Sequence, residues 1–70
     1  LDVLIVEPSA MQQRAVREAL GKLGVRRVQG ADSGAAALGA MRAVPPALVI
    51  GAMYLADMSG VELLAAMRAD

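Results

Sequence analysis

A short apolar run at residues 46–52 (PALVIGA) most constrains what this chain can fold into. Its length and its lack of polar residues predict a strand that is buried on both faces of a parallel sheet. A loop follows, and Ser59 with Glu62 then forms the sequence pattern of a capping box at the start of a helix. Ligands and chemistry gather at the carboxyl ends of parallel strands. Here that end is Ala52, whose methyl group can neither coordinate a metal nor attack a substrate.

The start of the chain repeats this strand-then-helix pattern. Residues 3–6 (VLIV) predict a second buried strand, and Glu7-Pro8 ends it. Ser9 and Gln12 predict another capping box, with the helix ending at Gly24 in a left-handed cap. The apolar positions at helical spacing, which predict the inward face, are Met11, Ala15, Val16, Ala19, Leu20 and Leu23.

The middle of the chain predicts a weaker strand and a second helix. Residues 25–31 alternate around Val28 and are typical of a solvent-facing edge strand. Asp32 or Ser33 caps a helix over residues 34–43, which Pro45-Pro46 ends. The predicted inward positions of this helix and of the last one are Ala37, Leu38, Met41 and Val44, then Val61, Leu63, Leu64 and Met67. The order βαβαβα predicts an α/β fold with right-handed crossovers and a parallel sheet.

A strand order of 2-1-3 would leave the third strand at the edge of the sheet. Its sequence is apolar and carries no charge that would discourage pairing, so it is a pairing hazard. We therefore expect residues 1–70 to be the N-terminal part of one larger domain, or a second chain to complete the sheet. Homo-oligomerisation through the exposed third strand is one form of the latter.

The composition excludes several classes of function. The chain has no cysteine and no histidine, which excludes a usual zinc site, a thiol nucleophile and a Ser-His-Asp triad among these residues. The formal net charge is zero, so nothing indicates a nucleic-acid surface. No apolar run approaches the roughly 18 residues that span a bilayer. The expected location is the cytoplasm.

Several segments together resemble the receiver domain of response regulators in two-component signalling. They are residues 3–9 (VLIVEPS), 23–24 (LG), 31–34 (ADSG), 46–50 (PALVI), 58–64 (MSGVELL) and 67–68 (MR). The resemblance spans the whole chain. It implies a flavodoxin-like, three-layer αβα fold with five parallel strands in the order 2-1-3-4-5, of which this chain would supply the first three strand–helix units.

The resemblance also implies a site that has lost its chemistry. In the family, two acidic residues after strand 1 hold Mg²⁺, and an aspartate that ends strand 3 accepts phosphoryl from a histidine kinase. The acidic pair aligns here with Glu7 and Pro8, the phosphoacceptor with Ala52, and a backbone carbonyl ligand with Tyr54. The usual loop proline is replaced by Ala56. Glu7 and the Tyr54 carbonyl would be vestigial metal ligands, so we expect no catalytic residue and no cofactor, with Mg²⁺ held weakly at most.

The leading hypothesis is a receiver-like signalling module, not an enzyme, that acts by protein–protein interaction. Met53, Tyr54 and Met58 are its candidate interaction residues, and its partners would be other signalling proteins or a second receiver-like chain. One alternative is a phosphorylation-competent regulator that uses a displaced carboxylate, Asp57 or Glu7. Another is a fragment of a small α/β enzyme.

Each of these residues also has a plain structural interpretation. Glu7 is then a solvated residue at a strand end, and Asp57 is a loop residue that a helix dipole favours. Tyr54 then covers the emptied pocket, and the methionines fill the core.

Overall fold

The computed structural model describes residues 1–69 and shows six elements in the predicted alternation. They are β1 (Asp2–Val6), α1 (Ala10–Lys22), β2 (Arg27–Ala31), α2 (Gly34–Ala43), β3 (Leu48–Gly51) and α3 (Gly60–Ala69). The strands form a parallel sheet in the order β2-β1-β3, with β1 at its centre. This confirms the predicted fold class and strand order. The sheet corresponds to the first three strands of a flavodoxin-like fold.

The core lies around β1 and not around β3. Residues 3–6 of β1 are almost completely buried, because this strand has a neighbour on each side and helices over it. Beside them, the buried hydrophobic residues are Ala31, Ala37 and Leu63. The prediction that the third strand is buried on both faces is wrong. Leu48 is 47% exposed, because β3 is an edge strand with no neighbour on its outer side among the described residues.

The helix faces are less covered than their apolar periodicity predicts. No residue of α1 is buried, and Met11 and Leu23 are largely exposed. In α3 only Leu63 is buried, while Val61 and Leu64 remain exposed, as does Val44 after α2. In α1 the half-buried residues are instead Gln13, Val16 and Leu20, and Met11 lies nearly opposite them on the helix, so the predicted inward face of α1 is partly wrong. Val44 has extended backbone beyond the end of α2 and does not lie on the stripe of that helix.

The helix ends follow the predicted capping chemistry with one exception. Ser59 and Glu62 form the reciprocal capping box, each side chain accepting from the other's backbone N–H at 3.1 Å. At α1 the Ser9 hydroxyl accepts from the Gln12 N–H, but the Ser9 N–H donates to Glu7 and not to Gln12. The predicted reciprocal box at α1 is therefore only half formed.

Gly24 ends α1 as predicted. It has φ +86°, and the Val25 N–H donates to the Leu20 carbonyl while the Gly24 N–H donates to the Gly21 carbonyl. These are the two hydrogen bonds of a Schellman motif, which requires a left-handed residue at this position.

No described helix has the length and apolar character needed to cross a bilayer.

Candidate functional site

The carboxyl ends of the three strands bring Glu7 and Ala52 to the same edge of the sheet. The Glu7 N–H donates to the Ala31 carbonyl at 2.8 Å, and the Ala52 N–H donates to the Val6 carbonyl at 2.9 Å. The two residues thus directly follow the paired neighbours β1 and β3. This is the location at which an α/β sheet of this type carries its site.

Ala52 leaves this location without a reactive group. Its side chain is a half-buried methyl group. The backbone around it is tightly closed, because a Cβ added to Gly60 would lie 2.8 Å from the Ala52 carbonyl oxygen. The start of α3 therefore packs directly against the backbone at the end of β3. The position has neither a nucleophile nor a metal ligand in its side chain.

Glu7 is the acidic side chain beside this position, and its carboxylate already has a partner. The Ser9 N–H donates to Glu7 Oε2 at 2.9 Å, so the negative charge lies at the N-terminus of α1, where the helix dipole favours it. Pro8 has no ligand atom in its side chain. Among residues 1–69, no three acidic, histidine or cysteine side chains lie close enough together to hold a metal ion. Pro8 and Ala52 thus add no side-chain ligand to the Glu7 carboxylate, whereas Mg²⁺ is usually bound by one or two carboxylates together with waters. The weak Mg²⁺ binding expected at Glu7 stays a prediction.

The loop between β3 and α3, residues 52–59, folds back on itself as a small hairpin. The Gly60 N–H donates to the Met53 carbonyl, Tyr54 and Ser59 form an antiparallel bridge, and the Leu55 N–H donates to the Met58 carbonyl at 2.9 Å. Ala56 and Asp57 form the tip. We call residues 52–59 the β3–α3 loop.

Asp57 at this tip binds a different helix from the one that follows it in sequence. Its two carboxylate oxygens accept from the Gly34 and Ala35 N–H groups, each at 2.9 Å, at the N-terminus of α2. These hydrogen bonds lower the pKa of Asp57 below the ordinary aspartate value, and the bond from Gly34 has the largest effect. Sequence reasoning missed this contact, because the partners are more than 20 residues apart and depend on the fold of the loop.

The candidate interaction residues divide into two groups. Tyr54 is 78% exposed and Met53 is 66% exposed. Met58 is half-buried instead and packs against the core cluster and over Gly34. Of these three candidates, Met53 and Tyr54 thus expose most of their side chains, and Met58 does not. The assignments of the Tyr54 carbonyl as a metal ligand and of these side chains as an interface stay predictions.

An apolar groove of about 580 Å³ runs beside the outer edge of β3 and along α3. Its larger side chains are Leu48, Val49, Met53, Val61, Leu63, Leu64 and Met67. None of the residues that line it is charged. The sequence predicted this bare edge from the absence of a charge in the third strand.

The family model of the response regulator receiver domain matches residues 3–70. The match covers β1 from its second residue and the whole of every later strand and helix.

Proposed function

The chain belongs to the response regulator receiver domain family, and on that premise we propose that it is a pseudo-receiver. In this proposal it takes part in two-component signalling by binding other proteins and does not carry a phosphoryl group on an aspartate. It is a signalling module of the cytoplasm and not an enzyme, and it binds neither nucleic acid nor membrane through this segment.

The observation that carries the proposal is Ala52 at the carboxyl end of β3. Phosphoryl transfer to a receiver requires a carboxylate nucleophile in line with the incoming phosphorus. The residue that follows β3 has only a methyl group as its side chain. No carboxylate therefore occupies the place where the family has its acceptor.

The residues around Ala52 support the same proposal. A receiver that transfers phosphoryl needs a cation to neutralise the phosphoryl oxygens. Glu7 already accepts from the Ser9 N–H, and Pro8 supplies no ligand atom. We propose that this chain does not depend on Mg²⁺ for its activity.

A displaced phosphoacceptor is less well supported. Both oxygens of Asp57 accept hydrogen bonds from the N-terminus of α2, which lowers the nucleophilicity of the carboxylate and fixes its direction. Glu7 is likewise engaged with Ser9. An enzyme fragment has the weakest support, because the chain has no histidine and no cysteine.

Restoring the lost carboxylates tests the proposal. The variant P8D/A52D is compared with P8D/A52N, which has a side chain of the same shape but no carboxylate nucleophile. After incubation with Mg²⁺ and acetyl phosphate, we expect a phosphoryl adduct by intact mass only in the aspartate variant. An inert aspartate variant would mean that the geometry around residue 52 has diverged as well. An adduct on the wild-type protein would refute the proposal.

A further inference from the structure

The first three N–H groups of α2, those of Gly34, Ala35 and Ala36, all donate to side chains. A helix begins with backbone N–H groups that have no partner within the helix. In α2 the Ser33 hydroxyl accepts from the Ala36 N–H at 3.1 Å, and the Ser33 carbonyl accepts from the Ala37 N–H. The N–H groups of Gly34 and Ala35, the first two residues of the helix, donate to Asp57. One carboxylate from a distant loop thus caps the first two N–H groups of α2.

A packing contact accompanies these hydrogen bonds. Gly34 is buried, and the Met58 side chain lies where a Cβ on Gly34 would stand. Any other residue at position 34 would have a Cβ atom that displaces the Met58 side chain. Asp57 and Met58 dock the β3–α3 loop on α2 through one polar and one apolar contact.

The two sides of the β3–α3 hairpin connect its tip, which contacts α2, to the exposed side chains of Met53 and Tyr54. Leu55 and Met58 pack against the core cluster, while Tyr54 and Met53 are exposed. Tyr54 bridges to Ser59, so its backbone is fixed by the same hairpin whose tip Asp57 holds. Movement of the tip away from α2 would therefore alter the position of Tyr54.

From this geometry we propose that Asp57 is a positioning residue, which latches the β3–α3 loop to the N-terminus of α2 and so fixes the surface formed by Met53 and Tyr54. The inference rests on the proposed function, since that surface is the proposed contact for partner proteins. Under the proposed function no phosphoryl group acts on the β3–α3 loop, and the Asp57 carboxylate holds the loop in one position instead.

Backbone hydrogen exchange followed by NMR tests the latch in the unchanged protein. Gly34 and Ala35 are the first two residues of α2, and Ala10 and Met11 are the first two residues of α1. The Ala10 and Met11 N–H groups have no hydrogen-bond partner among residues 1–69. Corrected for sequence effects, the Gly34 and Ala35 amides should exchange about tenfold more slowly, as expected for hydrogen bonds to a charged group. Equal exchange at the two helix ends would overturn the proposal.

The variant D57N tests the consequence for the exposed surface. Tyr54 is the only aromatic residue, so its fluorescence reports on the loop alone. The substitution should accelerate exchange at Gly34 and Ala35 but not at Ala36, which Ser33 holds. It should also lower the fluorescence anisotropy of Tyr54. D32N is the matched control, because it makes the same charge change beside α2 and Asp32 makes no side-chain hydrogen bond among the described residues.

The two outcomes separate the latch from the proposed function. Faster exchange at Gly34 and Ala35 together with a more mobile Tyr54 in D57N supports the latch. Unchanged anisotropy, or the same change in D32N, would overturn it. Neither measurement involves phosphorylation, so failure of the latch leaves the inert-site proposal untouched. A phosphoryl adduct on the wild type would refute the inert site without affecting the exchange rates.

Discussion

At the scale of single residues, close backbone contacts around the β3–α3 loop depend on glycine. A Cβ on Gly60 would lie 2.8 Å from the Ala52 carbonyl oxygen and 3.3 Å from that of Met53. Both neighbours are backbone atoms, so they cannot rotate away as a side chain would. A substitution at Gly60 must therefore move the end of β3 or the start of α3.

A pair of glycine-to-alanine variants tests this contact. G60A should lower the free energy of unfolding by about 1–3 kcal/mol, the usual cost of overpacking. G39A lies in the exposed interior of α2 with nothing within 4 Å of its added methyl group. It should instead raise the free energy of unfolding by about 0.5–1 kcal/mol, because alanine favours the helix. Urea unfolding of both variants measures the difference, and equal effects would contradict the close contact at Gly60.

Asp57 gives the stability of the protein a dependence on acidic pH. The hydrogen bonds from Gly34 and Ala35 lower the pKa of Asp57 in the folded state below its value in the unfolded state. The stabilisation is therefore fully present above the unfolded pKa and is lost as the pH falls through the folded pKa. Urea titrations from neutral pH down through the aspartate range should show this loss in the wild type and in D32N. The loss should be smaller in D57N, and an unchanged profile in D57N would contradict the assignment.

The residues at the candidate site could be predicted only where local sequence determines their position. Glu7 and Ala52 follow two strands that the apolar runs identify, so their shared edge follows from parallel pairing. The contact of Asp57 with Gly34 and Ala35 depends on a hairpin that has no local pattern in the sequence. The same holds for the contact of Met58 with Gly34, which joins two residues that lie far apart in the sequence.

At the scale of elements, periodicity identified the helices but not how deeply each is buried. The spacing of apolar residues fixes which side of a helix they share. Burial also requires an element that packs over that side. In α3 the stripe includes both Leu63 and Leu64, yet Leu63 is 4% exposed and Leu64 is 47% exposed. Leu63 belongs both to the core cluster and to the wall of the groove beside β3, whereas Leu64 belongs to the groove wall alone.

Alanine substitutions in α3 should reveal this gradient. L63A removes a core side chain and should cost about 2–5 kcal/mol, which is enough to prevent folding of a marginally stable domain. L64A removes the same number of atoms from the groove wall and should cost much less. Circular dichroism during urea unfolding compares the two, with L63M as a volume-conserving variant expected to fold. Similar losses for L63A and L64A would show that the groove is covered in solution.

At the scale of the whole molecule, the sheet has two unlike edges. At the β2 edge the Arg17 side chain of α1 donates to the Val28 carbonyl at 3.0 Å. Strand β2 also has a charged residue of its own, Arg27. The β3 edge carries no charged residue and borders the apolar groove. Charges and covering side chains discourage edge pairing, and their absence favours it. The predicted strand order was confirmed, and it is this order that exposes β3.

This asymmetry predicts that the 70-residue chain self-associates as its concentration rises. Lysine at an edge strand opposes pairing, so L48K should shift the association to higher concentration. M11K makes the same kind of change at an exposed residue of α1, away from the groove, and should leave the association as it is. Light scattering across a dilution series measures all three proteins. A wild type that stays monomeric throughout would contradict the prediction.

The most direct test of the inert site is the intact mass of the wild-type protein before and after incubation with Mg²⁺ and acetyl phosphate. A receiver with an aspartate at the end of its third strand serves as the positive control in the same buffer. With Ala52 in that place, we predict an unchanged mass while the control gains a phosphoryl group. A stable phosphoryl adduct on this chain would contradict the account, and Asp57 and Glu7 would be the first residues to test as its site.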